Sequence, residues 1–139
     1  PLPKTKSRYS VRKHVLLLPE SQEFYSHGEK KTVWLLRLEK TRNLEFEQLC
    51  QLIASRTTLN EYEVEFVINE LYQVIIENAE IGRGVDLGRL GKMVLSVASQ
   101  TVDAPEKLDL KAVKKVNIRY KPSVLIKKAL KSFRFRISR

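Results

Sequence analysis

The run Arg83-Gly84-Val85-Asp86-Leu87-Gly88-Arg89-Leu90-Gly91-Lys92-Met93, with its sequel Val116-Asn117-Ile118-Arg119-Tyr120-Lys121, decides how this chain is read. Three glycines fall within eight residues, and two β-like runs then flank a polar excursion. Glycine supplies the backbone freedom a tight turn needs. The pattern predicts a short strand, a tight turn and a long two-stranded arm. Met93, Leu95 and Val97 alternate with Val94, Ser96 and Ala98. Val113, Lys115, Asn117 and Arg119 alternate with Lys114, Val116, Ile118 and Tyr120, so the return strand carries a cationic edge. Residues 99–111 between them are polar.

Upstream lies the support for this arm. Asn43 is a candidate helix cap, followed by Phe46, Leu49, Cys50 and Ile53 on one stripe. The β-branched pair Thr57-Thr58 interrupts it. Asn60 and Glu63 then form a capping-box pattern, with Leu59 and Val64 at the hydrophobic-staple positions. The second helix should run from Glu61 to about Ala79. Its stripe of Val64, Val67, Ile68, Leu71 and Ile75 is widened by Tyr62, Phe66, Val74 and Ile76. A helix apolar around so much of its circumference is covered on two sides. In a small chain, the second cover is most simply another subunit, which makes Phe66, Leu71, Val74 and Ile75 the expected dimer surface.

The flanks are basic. Residues 1–7 read as a loose tail. Tyr9 to Leu17 carries a strand signal, and Pro19–Lys31 reads as a loop. Thr32–Leu38 is a second strand, with a helix over 33–40 as the alternative. The two strands form either a hairpin or an addition to a sheet edge. Downstream, Pro122 stops the arm, Ser123 can cap a last helix from Val124 to about Phe133, and a basic tail follows. The domain expectation is a basic tail with a β-hairpin-like extension over 1–43, and a second domain over 44–139.

Composition narrows the partners. The 139 residues carry a net charge of +10 and 42% apolar residues, which fits a folded chain with a polyanionic partner. Residues 1–43 hold ten Lys/Arg and four Glu; 44–84 hold two Arg and eight Glu; 85–139 hold fourteen Lys/Arg and four acids. The acidic middle should face away from a polyanion. Cys50 is the one cysteine, so no intrachain disulfide or cysteine metal site can form, and a reducing compartment fits. A wholly apolar run such as Val15–Leu18 is far short of the roughly 18 residues of a membrane span. The basic start lacks the apolar core of a signal peptide. His14 and His27 have no ligand partners at metal spacing. No nucleophile–base pair or catalytic motif stands out. Neither an enzyme nor a cofactor, metal, membrane or small-molecule substrate is expected.

The order of two helices, a three-strand region with a long arm, and a final basic helix resembles the bacterial HU/IHF histone-like DNA-binding family over about 44–133. Ala54-Ser55-Arg56-Thr57-Thr58-Leu59-Asn60 is similar to its interhelical turn. Val85–Met93 is similar to its V-x-L-x-x-x-G-x-F turn, and Tyr120–Lys127 to its F-x-P-G-K-x-L-K helix entry. The first 43 residues resemble the HU-related branch with an N-terminal extension. The resemblance implies an α+β, intertwined homodimer with a helical base and two β-arms around double-stranded DNA. It further implies an architectural, nucleoid-associated protein of the bacterial cytoplasm that condenses or bends DNA with little sequence preference. The implied contacts are Arg89, Gly91, Lys92, Lys107, Lys111, Lys114, Lys115, Arg119, Lys121, Lys127, Lys128 and Lys131, with Pro105 as a wedge or a plain loop proline. The chain departs from the family in its arm. Over 98–111, Lys107 and Lys111 stand against Asp103, Glu106 and Asp109, and Pro122-Ser123-Val124 replaces Pro-Gly-Lys. The alternative function is a protein-interaction dimer on the same scaffold with weakened bending.

Overall fold

The structure, a computed structural model, describes residues 14–138. It divides into two compact units. One runs to Asn43 and takes in Ala129 onward; the other is Leu44–Lys128.

The first unit is a three-stranded sheet. β1 (Val15–Ser26) and β2 (Glu29–Leu38) form an antiparallel hairpin in unbroken register from Leu17↔Leu38 to Ser26↔Glu29. The loop expected over Pro19–Lys31 is therefore mostly strand. The turn is only His27-Gly28, both with positive φ (53° and 79°). That backbone twist suits a two-residue hairpin turn, and Gly28 adopts it without a Cβ penalty. Pro19 is tolerated because its nitrogen faces away from β2. Glu39 N donates to Leu16 O, so even-numbered β1 residues bond β2, while Val15 N donates to Arg134 O on the other side. The third strand, β6 (Phe135–Ile137), runs parallel to β1, with Val15↔Phe135 and Leu17↔Ile137. The sequence pattern predicts only a basic tail there. The expected strand residues Tyr9 and Val11 lie outside the described residues, as does the tail of residues 1–7.

The second unit opens with α1 (Phe46–Arg56). Its cap is Glu45 rather than Asn43. Glu45 and Gln48 form a reciprocal capping box, with Glu45 N donating to Gln48 Oε1 at 3.1 Å. α2 (Glu61–Ala79) begins where its own box predicts: Glu63 N to Asn60 Oδ1 is 2.9 Å, and Asn60 N to Glu63 Oε1 is 3.2 Å. Gly82, at φ 75°, turns the chain out of the helix. β3 (Val85–Asp86), β4 (Gly91–Ser99) and β5 (Val113–Pro122) then form an antiparallel sheet in that order. β5 leads into α3 (Val124–Leu130), which ends three residues before the expected Phe133. Ser132 N and Phe133 N close a tight turn on Ala129 O and Leu130 O, freeing the chain to enter β6.

Packing is thin for a folded domain. Among the described residues, the buried apolar side chains are Cys50, Val64 and Ala112. Cys50 and Val64 sit where α1 and α2 meet. On α2, Tyr62, Phe66, Val67, Tyr72 and Val74 all stay exposed, Phe66 at 66%.

Candidate nucleic-acid interface

The β4–β5 pairing sorts the arm into two faces. Register places Lys92 beside Lys121, Val94 beside Arg119, Ser96 beside Asn117 and Ala98 beside Lys115. Directly paired residues share a face, and faces alternate along a strand. One face thus carries Lys92, Lys121, Arg119 and Lys115 among small or uncharged neighbours. All four cations are exposed. The other face carries Met93, Leu95, Val97, Val116, Ile118 and Tyr120. At its α2 end it meets Ile76 and Ala79 around a shallow apolar hollow. The strands therefore separate a charged surface from an apolar one at single-residue resolution.

The turn at the base of the arm holds this face in place. Asp86 lies opposite Lys92 in the ladder, yet its Oδ1 accepts from Gly88 N at 2.8 Å. That carboxylate braces the turn, and no ion pair joins it to Lys92 among the described residues. Gly91 is buried at φ 120°, and a Cβ there would lie 2.0 Å from Lys121 O. Only glycine lets β4 pass β5 at this point. Tyr120 Oη donates to Leu90 O at 2.5 Å, and Ser123 Oγ donates to Arg89 O at 2.5 Å. Ser123 Oγ also accepts from Ile126 N at 3.1 Å, capping α3. One hydroxyl thus ties the Arg89 turn to the helix bearing Lys127 and Lys128. Gly88, Lys92, Lys121 and Ser123 line a common cleft beside this tie.

The remaining candidates fall elsewhere. Lys114 sits at the register shift between Ala98↔Lys115 and Ser99↔Val113, so the ladder gives it no opposite residue. Lys107 pairs with Asp103 at 2.7 Å, and Lys111 lies in a short turn whose N–H is capped by Asp109 at 2.9 Å. Pro105 opens a single 3₁₀ turn, Pro105–Lys107, in the excursion between β4 and β5. Lys131 belongs to the other unit. The sequence reading missed Ser96 and Asn117, the two uncharged polar members of the cationic face. The register alone reveals them. It also missed the tie made by Ser123, since a cap and a turn brace look alike in one dimension. Away from the arm, burial pushes the Cys50 thiol pKa up, and the carboxylates of Glu65 and Glu61 push it the same way.

A family model described as "HU domain fused to wHTH, Ig, or Glycine-rich motif" (HU-HIG) matches residues 16–137. The chain belongs to this HU-related family. The match spans the N-terminal sheet as well as the arm, so the extension is part of the HU-HIG domain. No curated protein matches the chain. A crystal structure from Bacteroides vulgatus ATCC 8482, described as a "Putative bacterial DNA binding protein", shares the fold at a TM-score of 0.60 and 16% identity. The alignment covers 88% of the HU-HIG chain and 48% of that one, so this chain spans about half its length.

Proposed function

We propose that the chain is a homodimeric, non-enzymatic architectural protein that binds double-stranded DNA through phosphate contacts with little sequence preference. The observation that carries this reading is the face bearing Lys92, Lys115, Arg119 and Lys121, exposed along two paired strands. Cations in a row on a stiff ribbon can track a phosphate backbone, and such contacts are sequence-blind. Membership of an HU-related family and a fold shared with a described DNA-binding protein point the same way. Arg89, Gly91, Lys111, Lys114, Lys127 and Lys128 complete the proposed surface, and Lys131, in the other unit, is a separate proposed contact. Dimerisation through Phe66, Leu71, Val74 and Ile75 is supported by the exposure of Phe66 and Val74 on α2, while Leu71 and Ile75 are already half-buried. The bacterial nucleoid is the proposed location.

The excursion between β4 and β5 favours a gentler action than kinking. Lys107 is already neutralised by Asp103, and Asp109 and Glu106 repel phosphate. Pro105 as a wedge and the protein-interaction alternative are both decided by one experiment. A duplex labelled at both ends is titrated at several salt concentrations. Log affinity should fall linearly with log salt, and each phosphate-binding cation removed should lower that slope by about 1. Lys92→Glu with Arg119→Glu should weaken binding at least tenfold. Unchanged affinity in a still-dimeric variant overturns the site. End-to-end shortening lost in Pro105→Ala assigns the wedge. Absence of binding at low salt selects the interaction scaffold.

A further inference from the structure

The N-terminal sheet leaves one edge conspicuously ready to pair. Strand order is β2-β1-β6, so β2 is an edge strand among the described residues. Glu39 N donates to Leu16 O, which fixes the phase of the ladder. Odd-numbered β2 residues bond β1. Lys30, Thr32, Trp34, Leu36 and Leu38 therefore turn their N–H and C=O groups outward. None of these outward groups has a backbone partner among the described residues. The edge runs ten residues without a bulge or a proline. Natural edges are blunted by bulges, prolines and charged side chains; here the charges stand at Lys30, Lys31 and Arg37, and the uncharged stretch Thr32–Leu36 between them is a template for another strand.

The opposite edge shows the contrast. β6 covers β1 only as far as Leu17, where Ser138 N donates to Leu17 O. The next outward-facing β1 position is Pro19, which has no N–H to offer. One edge is blocked where its cover ends; the other is open along its length. The open one also bears exposed apolar side chains: Trp34 is 72% exposed, and Leu36 and Leu38 stand beside it on the same face.

We propose that β2 pairs antiparallel with β2 of a second copy about a two-fold axis at Leu35. Three registers keep the outward groups facing each other over most of the strand. Centring on Trp34 sets Lys31 against Arg37 of the second copy, a like-charge pair that destabilises a sheet. Centring on Val33 pairs Glu29 with Arg37 but sets Lys30 and Lys31 against Leu36 and Leu35 of the second copy. Centring on Leu35 sets Trp34 against Leu36, Thr32 against Leu38, Lys31 against Glu39, and Lys30 against Lys40 of the second copy. This last register joins the apolar side chains, and its one like-charge pair involves Lys40, beyond the end of β2. The result is a continuous sheet of six strands, separate from the α2 surface. Two self-association surfaces on one chain link dimers to each other, so copies bound to DNA can be joined side to side or across duplexes. The pairing itself does not depend on the DNA reading.

The test uses the full chain without DNA. Thr32→Pro with Leu36→Pro removes two outward N–H groups and leaves every β1–β2 bond intact. Sedimentation should show a weight-average mass for the parent chain that rises with concentration to at least twice that of this variant. Loss of the α2 dimer would leave the variant a monomer and cap the parent at a dimer, so the two readings fail separately. In a Cys50→Ser background, Leu35→Cys should cross-link under mild oxidation, because a two-fold at Leu35 brings the two Cβ atoms within disulfide range. Val33→Cys should cross-link more slowly. Equal masses across the concentration range overturn the proposal. So does a Leu35→Cys chain that stays reduced, or one slower than Val33→Cys.

Discussion

At the scale of single residues, two glycines in the same turn make different predictions. Gly88 and Gly91 both have positive φ, 65° and 120°. A Cβ on Gly88 meets open space, so Gly88→Ala should cost about 1 kcal/mol from backbone strain alone. A Cβ on Gly91 would meet Lys121 O at 2.0 Å and Ser123 N at 2.9 Å. Both neighbours are backbone and cannot swing aside. Gly91→Ala should cost more than about 3 kcal/mol and shift the denaturation midpoint accordingly. Equal midpoints for the two variants would refute the close approach of β4 and β5. Cys50 offers a chemical probe of the helical part of the same unit. Its thiol is buried and held protonated by burial, Glu65 and Glu61. The raised folded-state pKa means that this thiol's contribution to stability is complete below pH 9.0, the ordinary thiol value, and is lost as pH rises through the folded pKa. Alkylation at pH 8 should therefore track unfolding. Rapid labelling of the native chain would contradict the burial.

At the scale of elements, legibility in the sequence followed the range of the interaction that makes each element. α2 was readable because its start is local: Asn60 and Glu63 are three residues apart and cap each other. Asn60→Ala should cost about 1 kcal/mol, read from urea denaturation, and a neutral result would sink the box. The arm strands were readable because apolar and polar residues alternate along each. Their cationic face was only half readable, since it depends on which residues of β4 and β5 lie opposite. The register shift at Ser99 moves Lys114 out of the ladder while Lys115 stays in it. Charge reversal at Lys115 should therefore weaken duplex binding more than reversal at Lys107, which Asp103 already neutralises. Equal effects would mean that DNA meets the excursion instead of the strands. The middle of the β1–β2 hairpin is not legible in the sequence because Pro19 reads as a breaker and His27-Gly28 is a weak turn signal. β6 was invisible. Three residues inside a basic tail say nothing about a partner more than a hundred positions away.

At the scale of the whole molecule, the decisive quantity is apolar surface left uncovered. The Leu44–Lys128 unit has 85 residues by its bounds, yet three apolar side chains of it are buried. Ordering each residue costs about 1–2 kcal/mol in backbone entropy, and apolar burial must offset most of it. Phe66, Val67, Tyr72 and Val74 contribute little while they face water. A second copy laid on α2 would supply the missing burial, which makes folding and association one equilibrium. Its stability must then depend on concentration. Each tenfold dilution should remove about 1.4 kcal/mol per mole of dimer, and with two chains unfolding together that lowers Tm by about 3–6 °C. Measuring this in the Thr32→Pro, Leu36→Pro chain keeps association through β2 from adding to the slope. Val74→Glu, which buries a charge in the proposed interface, should abolish the cooperative transition at micromolar concentration while leaving residual helix. A Tm that ignores dilution in the parent and survives Val74→Glu would mean that the unit folds alone, and the bare side of α2 would then belong to a different partner.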